Sequence, residues 1–155
     1  MNARLDALPP SEAVLVEGSW WVAHAFNSTL PGWLVVVPLR HVASLEEMTE
    51  GEAQTLGLLL HRCARALRAV TGCEKSYFMF FAEAEGFSHL HVHVVPRMSS
   101  FTEEQIGPRV FGFLGGPEAD WLSEGERDDL ALRRRAVLNT NPAVASSTLI
   151  AGPDR

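Results

Sequence analysis

Cysteine is almost missing from this chain: Cys63 and Cys73 are the only two in 155 residues. Two thiols cannot build the disulfide framework of a small secreted scaffold, and their spacing is not that of a zinc site, so a reducing compartment is expected. Long apolar runs are missing as well, and no stretch approaches the roughly 20 residues needed to span a bilayer. Residues 1–10 hold acid and prolines where a secretory leader carries an apolar run, which gives the cytoplasm as the expected location. Positive charge is scarce: 13 Lys and Arg stand against 19 Asp and Glu, a formal charge of −6. Duplex nucleic acid and anionic membranes both need a basic surface, so neither is expected as the main partner. A small phosphate-bearing molecule needs only a local site and stays open.

What is present is ordinary for a globular protein, 46% hydrophobic and 21% charged, at a length that supports one real core. One stretch is not ordinary. In Ser88-His89-Leu90-His91-Val92-His93-Val94-Val95-Pro96-Arg97, three of the six histidines fall at alternate positions with apolar residues between them. Strict alternation predicts a β-strand over 88–97 with one apolar face and one face of imidazoles, neighbours on a face lying roughly 6.5–7 Å apart. A half-buried strand explains one such histidine easily and three in register poorly.

The rest of the chain supports that strand. Residues 1–12 have two prolines and no periodicity, so a loose lead-in is expected. Short β-like runs at 13–17 and 20–25 flank Gly18-Ser19, a hairpin turn, with Trp20 and Trp21 on opposite faces. Residues 33–37 form an apolar, central strand ended by Pro38. Thr49-Glu50-Gly51-Glu52 reads as a capping box opening a helix. The helix carries Ala53, Leu56, Leu59, Leu60, Cys63, Leu67 and Val70 on one stripe and stops at Gly72. Arg62, Arg65 and Arg68 read as its solvated face, and Leu58 lies off the stripe. An aromatic strand at 76–81 turns back through Glu83, Glu85 and Gly86 to pair antiparallel with the histidine strand. Beyond Met98 the composition shifts to glycine and serine. Ser123-Glu124-Gly125-Glu126 opens a second helix bearing Leu130, Leu132, Ala136, Val137 and Leu138, and an extended or docked tail runs from Thr140. The expected fold is α+β: an antiparallel sheet of about five strands, one long helix and a C-terminal helix. Residues 1–98 would form the core domain and 99–155 an extension.

The run His89-Leu90-His91-Val92-His93-Val94-Val95 matches the His-φ-His-φ-His-φ-φ pattern (φ apolar) of the histidine-triad (HIT) family, and Pro96-Arg97 resembles its usual continuation. Leu30-Pro31-Gly32-Trp33-Leu34-Val35-Val36-Val37-Pro38-Leu39-Arg40-His41-Val42 resembles the family's upstream strand and the turn leaving it, so the likeness covers roughly residues 12–98. It implies a homodimeric nucleotide hydrolase or transferase without a cofactor. By the same resemblance His91 is the nucleophile on the α-phosphate, giving a nucleotidyl-histidine, while His89 orients it and His93 contacts phosphate or leaving group. The chemistry suits imidazole, a good nucleophile toward phosphorus whose ordinary pKa near 6.5 leaves it mostly neutral. Implied substrates are dinucleoside polyphosphates, nucleoside phosphoramidates and other AMP conjugates. Gly86 is a candidate for close backbone approach to phosphate, with a plain turn glycine as the equal alternative. Ser88 is a phosphate-contact candidate despite its strand parity.

Two positions depart from the family pattern. Trp33 stands where relatives often carry a fourth histidine, and an indole donates one hydrogen bond without shuttling protons. It walls the pocket or packs in the core. Ala25 stands where relatives commonly carry an acid or amide for the ribose, which leaves His24 and Asn27 as substitutes. Two other readings stay open: a nucleotide-binding module with little turnover, and a metal site in which His24, His41 or Glu83 joins the His-x-His run.

Overall fold

A computed structural model describes residues 7–83 and 85–140; the first half of the expected lead-in and the tail expected beyond Thr140 lie outside the described residues. Strand β1 (Leu15–Glu17) turns at Gly18, whose φ of +57° suits a residue without a Cβ, into β2 (Trp20–His24). After β3 (Leu34–Pro38) come helix α1 (Glu50–Thr71), β4 (Lys75–Met79), β5 (Val92–Arg97) and helix α2 (Glu124–Thr140). The sheet order is β1-β2-β3-β5-β4, antiparallel throughout with β3 central, the α+β architecture expected.

The register sorts side chains onto two faces. Ala23, Val35, His93 and Met79 are cross-strand neighbours on one face; His24, Leu34 and Val94 are neighbours on the other. The second face packs under α1, where Val22, Leu34, Val36, Val92 and Val94 meet Leu56, Leu59, Cys63 and Leu67. The capping box forms as read: the Glu52 N–H donates to Thr49 Oγ1 and the Thr49 N–H to the Glu52 carboxylate, while Gly72 takes a left-handed φ of +70° at the far end. Arg40 also donates to Glu52 at 2.8 Å, and this bond, helped by the Thr49 amide, holds the carboxyl down to about 2. It fastens the turn leaving β3 to the start of α1.

Four expectations need correction. The histidine run is not one strand from 88 to 97, because the ladder starts only at Val92. Val36 pairs with Val92, so the same register brings Pro38 opposite Leu90, and a proline has no N–H to continue the ladder. Instead the Leu90 N–H donates to the Val42 carbonyl at 2.7 Å, beyond the turn. Residues 7–12 are not loose: the Ser11 N–H donates to Asp128 and its carbonyl accepts from the His24 N–H. Arg62 is not simply solvated, since its guanidinium lies 2.6 Å from Glu17 at the end of β1. On α2 the buried stripe is Leu130, Ala131, Arg134 and Leu138, leaving Leu132 and Ala136 exposed. Arg134 is fully buried, and none of its guanidinium nitrogens has a partner among the described residues.

The other face of the sheet is covered by the chain after Met98. A 3-10 turn at Gly107–Phe113 lays Val110, Phe111, Phe113 and Leu114 over Ala25, Leu30, Trp33 and Val95. It is tied down by Thr29 N–H to the Phe113 carbonyl and Gly115 N–H to the Asn27 carbonyl, both 2.9 Å. No helix among the described residues is long and apolar enough to cross a membrane.

Candidate functional site

His93 lies on the face covered by the 3-10 turn, and the extended chain before it brings His91 alongside. Their ring centroids are 4.8 Å apart, edge to face. Phe111 meets His93 at 5.1 Å and Trp33 meets it at 5.6 Å, both nearly perpendicular, so His93 sits between two aromatic walls with 9% of its surface exposed. Burial, then the neighbouring His91, pushes its pKa down to about 4. At neutral pH this imidazole is uncharged.

Hydrogen bonds to carbonyls decide which nitrogen carries the proton, because a carbonyl only accepts. His91 Nδ1 lies 2.9 Å from the His89 carbonyl, so Nδ1 carries the hydrogen and Nε2 holds the lone pair in the neutral ring. That Nε2 has no partner within the described residues and is not sealed from solvent. His89 Nε2 donates to the Pro38 carbonyl at 2.9 Å, which leaves Nδ1 to accept from His41 Nδ1 at 2.9 Å. His89 is therefore turned toward the loop after β3, and its carbonyl, not its ring, orients His91.

The structure thus brings together the rings of His91 and His93, with Trp33 against His93. His89 joins them through its carbonyl and turns its own ring to His41, so the expected face of three imidazoles holds only two. Trp33 is fully buried and its indole N–H donates to His93 Nδ1 at 3.0 Å, so it both packs in the core and touches the triad. Gly86 lies in an exposed turn with φ +79°, and Ser88 is exposed just before His89. Asn27 contributes its carbonyl to Gly115. His24 is elsewhere. It lies on the helix-covered face, its Nδ1–H donates to the Ala25 carbonyl, its Nε2 accepts from the Gly32 N–H, and burial holds its pKa down to about 4. Both nitrogens are used, so it offers nothing to a ligand. Ala25 is buried beneath Val110 and its neighbours. Among the described residues no three His, Cys, Asp or Glu side chains converge as a metal ion would require.

Two residues at the site carry no sequence signal for their place in it. His41 stands out in the sequence only as a possible metal ligand, and nothing in its spacing shows that it folds back onto His89. Phe111 comes from the C-terminal third, whose sequence carries no mark of facing a histidine.

A family model described as the HIT domain matches residues 9–100, more than half of the chain. Among solved structures, the chain is similar to a histidine triad protein from Sinorhizobium meliloti, at 24% identity over 86% of this chain and 93% of that one with a TM-score of 0.67. It is also similar to a histidine triad protein from Bradyrhizobium japonicum, at 19% identity over 89% and 96% with a TM-score of 0.68. A third likeness is to a hypothetical histidine triad nucleotide-binding protein from Sulfolobus tokodaii, at 13% identity over 83% and 84% with a TM-score of 0.63. At these identities the structural likenesses speak for the fold. No curated protein matches the chain.

Proposed function

The chain belongs to the HIT-domain family, and from that premise we propose that it is a nucleotide hydrolase or nucleotidyl transferase. It cleaves at the α-phosphate of a dinucleoside polyphosphate or AMP conjugate through a covalent intermediate on His91. The observation that carries this reading is the His91 Nδ1–H bond to the His89 carbonyl, which leaves the lone pair on Nε2. Attack forms the Nε2–P bond while the bond from phosphorus to the leaving group breaks, and that group departs with the electron pair and takes up a proton. The ring becomes cationic, and the His89 carbonyl lies where it stabilises the charge on the Nδ1–H edge. Water, or another acceptor in a transfer, then adds to phosphorus and loses a proton. The P–N bond breaks, and the lone pair returns to Nε2.

Intact-protein mass spectrometry after mixing with a fluorogenic adenylate tests the reading. We expect a nucleotidyl adduct that maps to His91, and a loss of at least about a thousandfold in kcat/KM for His91→Ala. Turnover by His91→Ala at the parent rate overturns the assignment. One observation favours a second reading, a binding module with little turnover: the group that meets His93 Nδ1 is the indole of Trp33, which shuttles no proton. Tight binding of AMP conjugates with no adduct and no product would select that reading.

A further inference from the structure

We infer that Trp33 is a positioning residue: by donating to Nδ1 of His93 it fixes that imidazole as a permanent Nε2–H donor, one that offers a hydrogen bond to bound phosphate and takes no proton during turnover. The role toward phosphate rests on the function proposed above, whereas the tautomer rests on geometry alone.

The bond is 3.0 Å long, and its donor has no other state, since an indole nitrogen donates and never accepts. A neutral His93 that accepts at Nδ1 must carry its hydrogen on Nε2. This nitrogen has no partner among the described residues and is not sealed from solvent, so it is the one polar atom the ring presents to a ligand. Protonating the ring would place an Nδ1–H against the indole N–H, donor against donor. The bond would break, and Trp33, fully buried beneath Phe111, would be left with an unpartnered N–H.

The surroundings offer the imidazolium nothing in return. The ring meets Trp33, which stands just before β3, and Phe111 of the 3-10 turn, while Val35 on β3 and Met79 on β4 are its partners across the ladder. Its titratable contact is His91, two residues earlier and just outside β5. No carboxylate faces it among these contacts. Burial works in the same direction, holding its pKa well below the ordinary value. A histidine in place of Trp33 could donate or accept and would let His93 exchange protons; the indole removes that freedom. The acid–base steps of turnover then belong to groups other than His93.

Long-range ¹⁵N–¹H NMR of the histidine side chains reads the tautomer with no substrate present. In the parent, His93 is expected as the Nε2–H form at neutral pH, with no titration near the ordinary histidine range. In Trp33→Phe it is expected to become a tautomer mixture and to titrate at higher pH, with kcat reduced about tenfold and KM little changed. Trp33→His, which restores a partner of either role, should recover part of kcat and add a new limb to its pH profile. A parent His93 found as the Nδ1–H form, or titrating like a free histidine, overturns the inference without reference to any variant. An unchanged tautomer in a folded Trp33→Phe does the same. If the parent shows the fixed tautomer but no adenylate reacts, the proposed function fails and the lock stands, so the two failures are separable.

Discussion

Two buried histidines in this protein have the same depressed pKa, about 4, and opposite uses. His24 gives both nitrogens to the backbone, between the Ala25 carbonyl and the Gly32 amide, and acts as a structural clip for the loop entering Trp33. His93 gives one nitrogen to Trp33 and keeps the other for a ligand. Both make the fold acid-sensitive, and the sign follows from proton counting. Between pH 6.5 and about 4 the unfolded chain binds protons that these folded rings refuse. Stability is therefore full above 6.5 and is lost as pH falls toward 4, by about 3 kcal/mol for the whole shift at His24. The urea midpoint should drop across that window. His24→Gln should show a shallower drop, along with a loss of about 1–3 kcal/mol at neutral pH as backbone partners go unpaired. An equal slope in the variant would remove His24 from the account.

At the scale of elements, the loop between β2 and β3 is where three parts of the fold meet. Gly32 has φ +107°, and a Cβ there would stand 2.9 Å from Arg134 Nη2, 3.0 Å from Thr71 Cγ2 and 3.1 Å from Leu67 Cδ1. The residue must be glycine both for its backbone angle and for the closeness of α1 and α2. Gly32→Ala should cost roughly 2–4 kcal/mol in denaturant unfolding, from backbone strain and overpacking together. Because Trp33 is the next residue, turnover should fall as well. A variant as stable as the parent would show that the helices yield easily at this point.

At the scale of the whole molecule, the chain after Met98 covers one face of the sheet and adds to the cover that α1 gives the other. Residues 101–114 close the face that holds His93, and α2 packs against α1 and β2 on the other side. The same region fastens the N-terminal segment, through Asp128 to the Ser11 amide and through Arg135 to the Ala13 and Val14 carbonyls. A chain ending at Ser100 would leave Ala25, Leu30, Trp33 and Val95 facing water. We expect that truncation to lose its cooperative thermal transition and to bind a hydrophobic dye. A sharp calorimetric peak from residues 1–100 would show that the later residues are dispensable for folding.

Local rules in the chain were enough to specify several parts. A continuous apolar run marked β3, aromatic residues β4, Gly18 the hairpin, Thr49 and Glu52 the start of α1, and Gly72 its end, because each is settled by residues close to one another in the chain. The histidine pattern likewise singled out His89, His91 and His93 as candidates. What neighbours in sequence could not settle was every contact across long separations. Pro38 cuts the ladder short only because the register brings it opposite Leu90. His41 reaches His89 only because the turn after β3 folds back, and Phe111 reaches His93 only because the later chain crosses the sheet. Trp33 looked like a choice between packing and pocket, and tertiary structure gave it both, since a buried indole must still place its one N–H. Periodicity and caps are short-range physics; which lone pair is left free on a histidine is set by groups that only folding brings near.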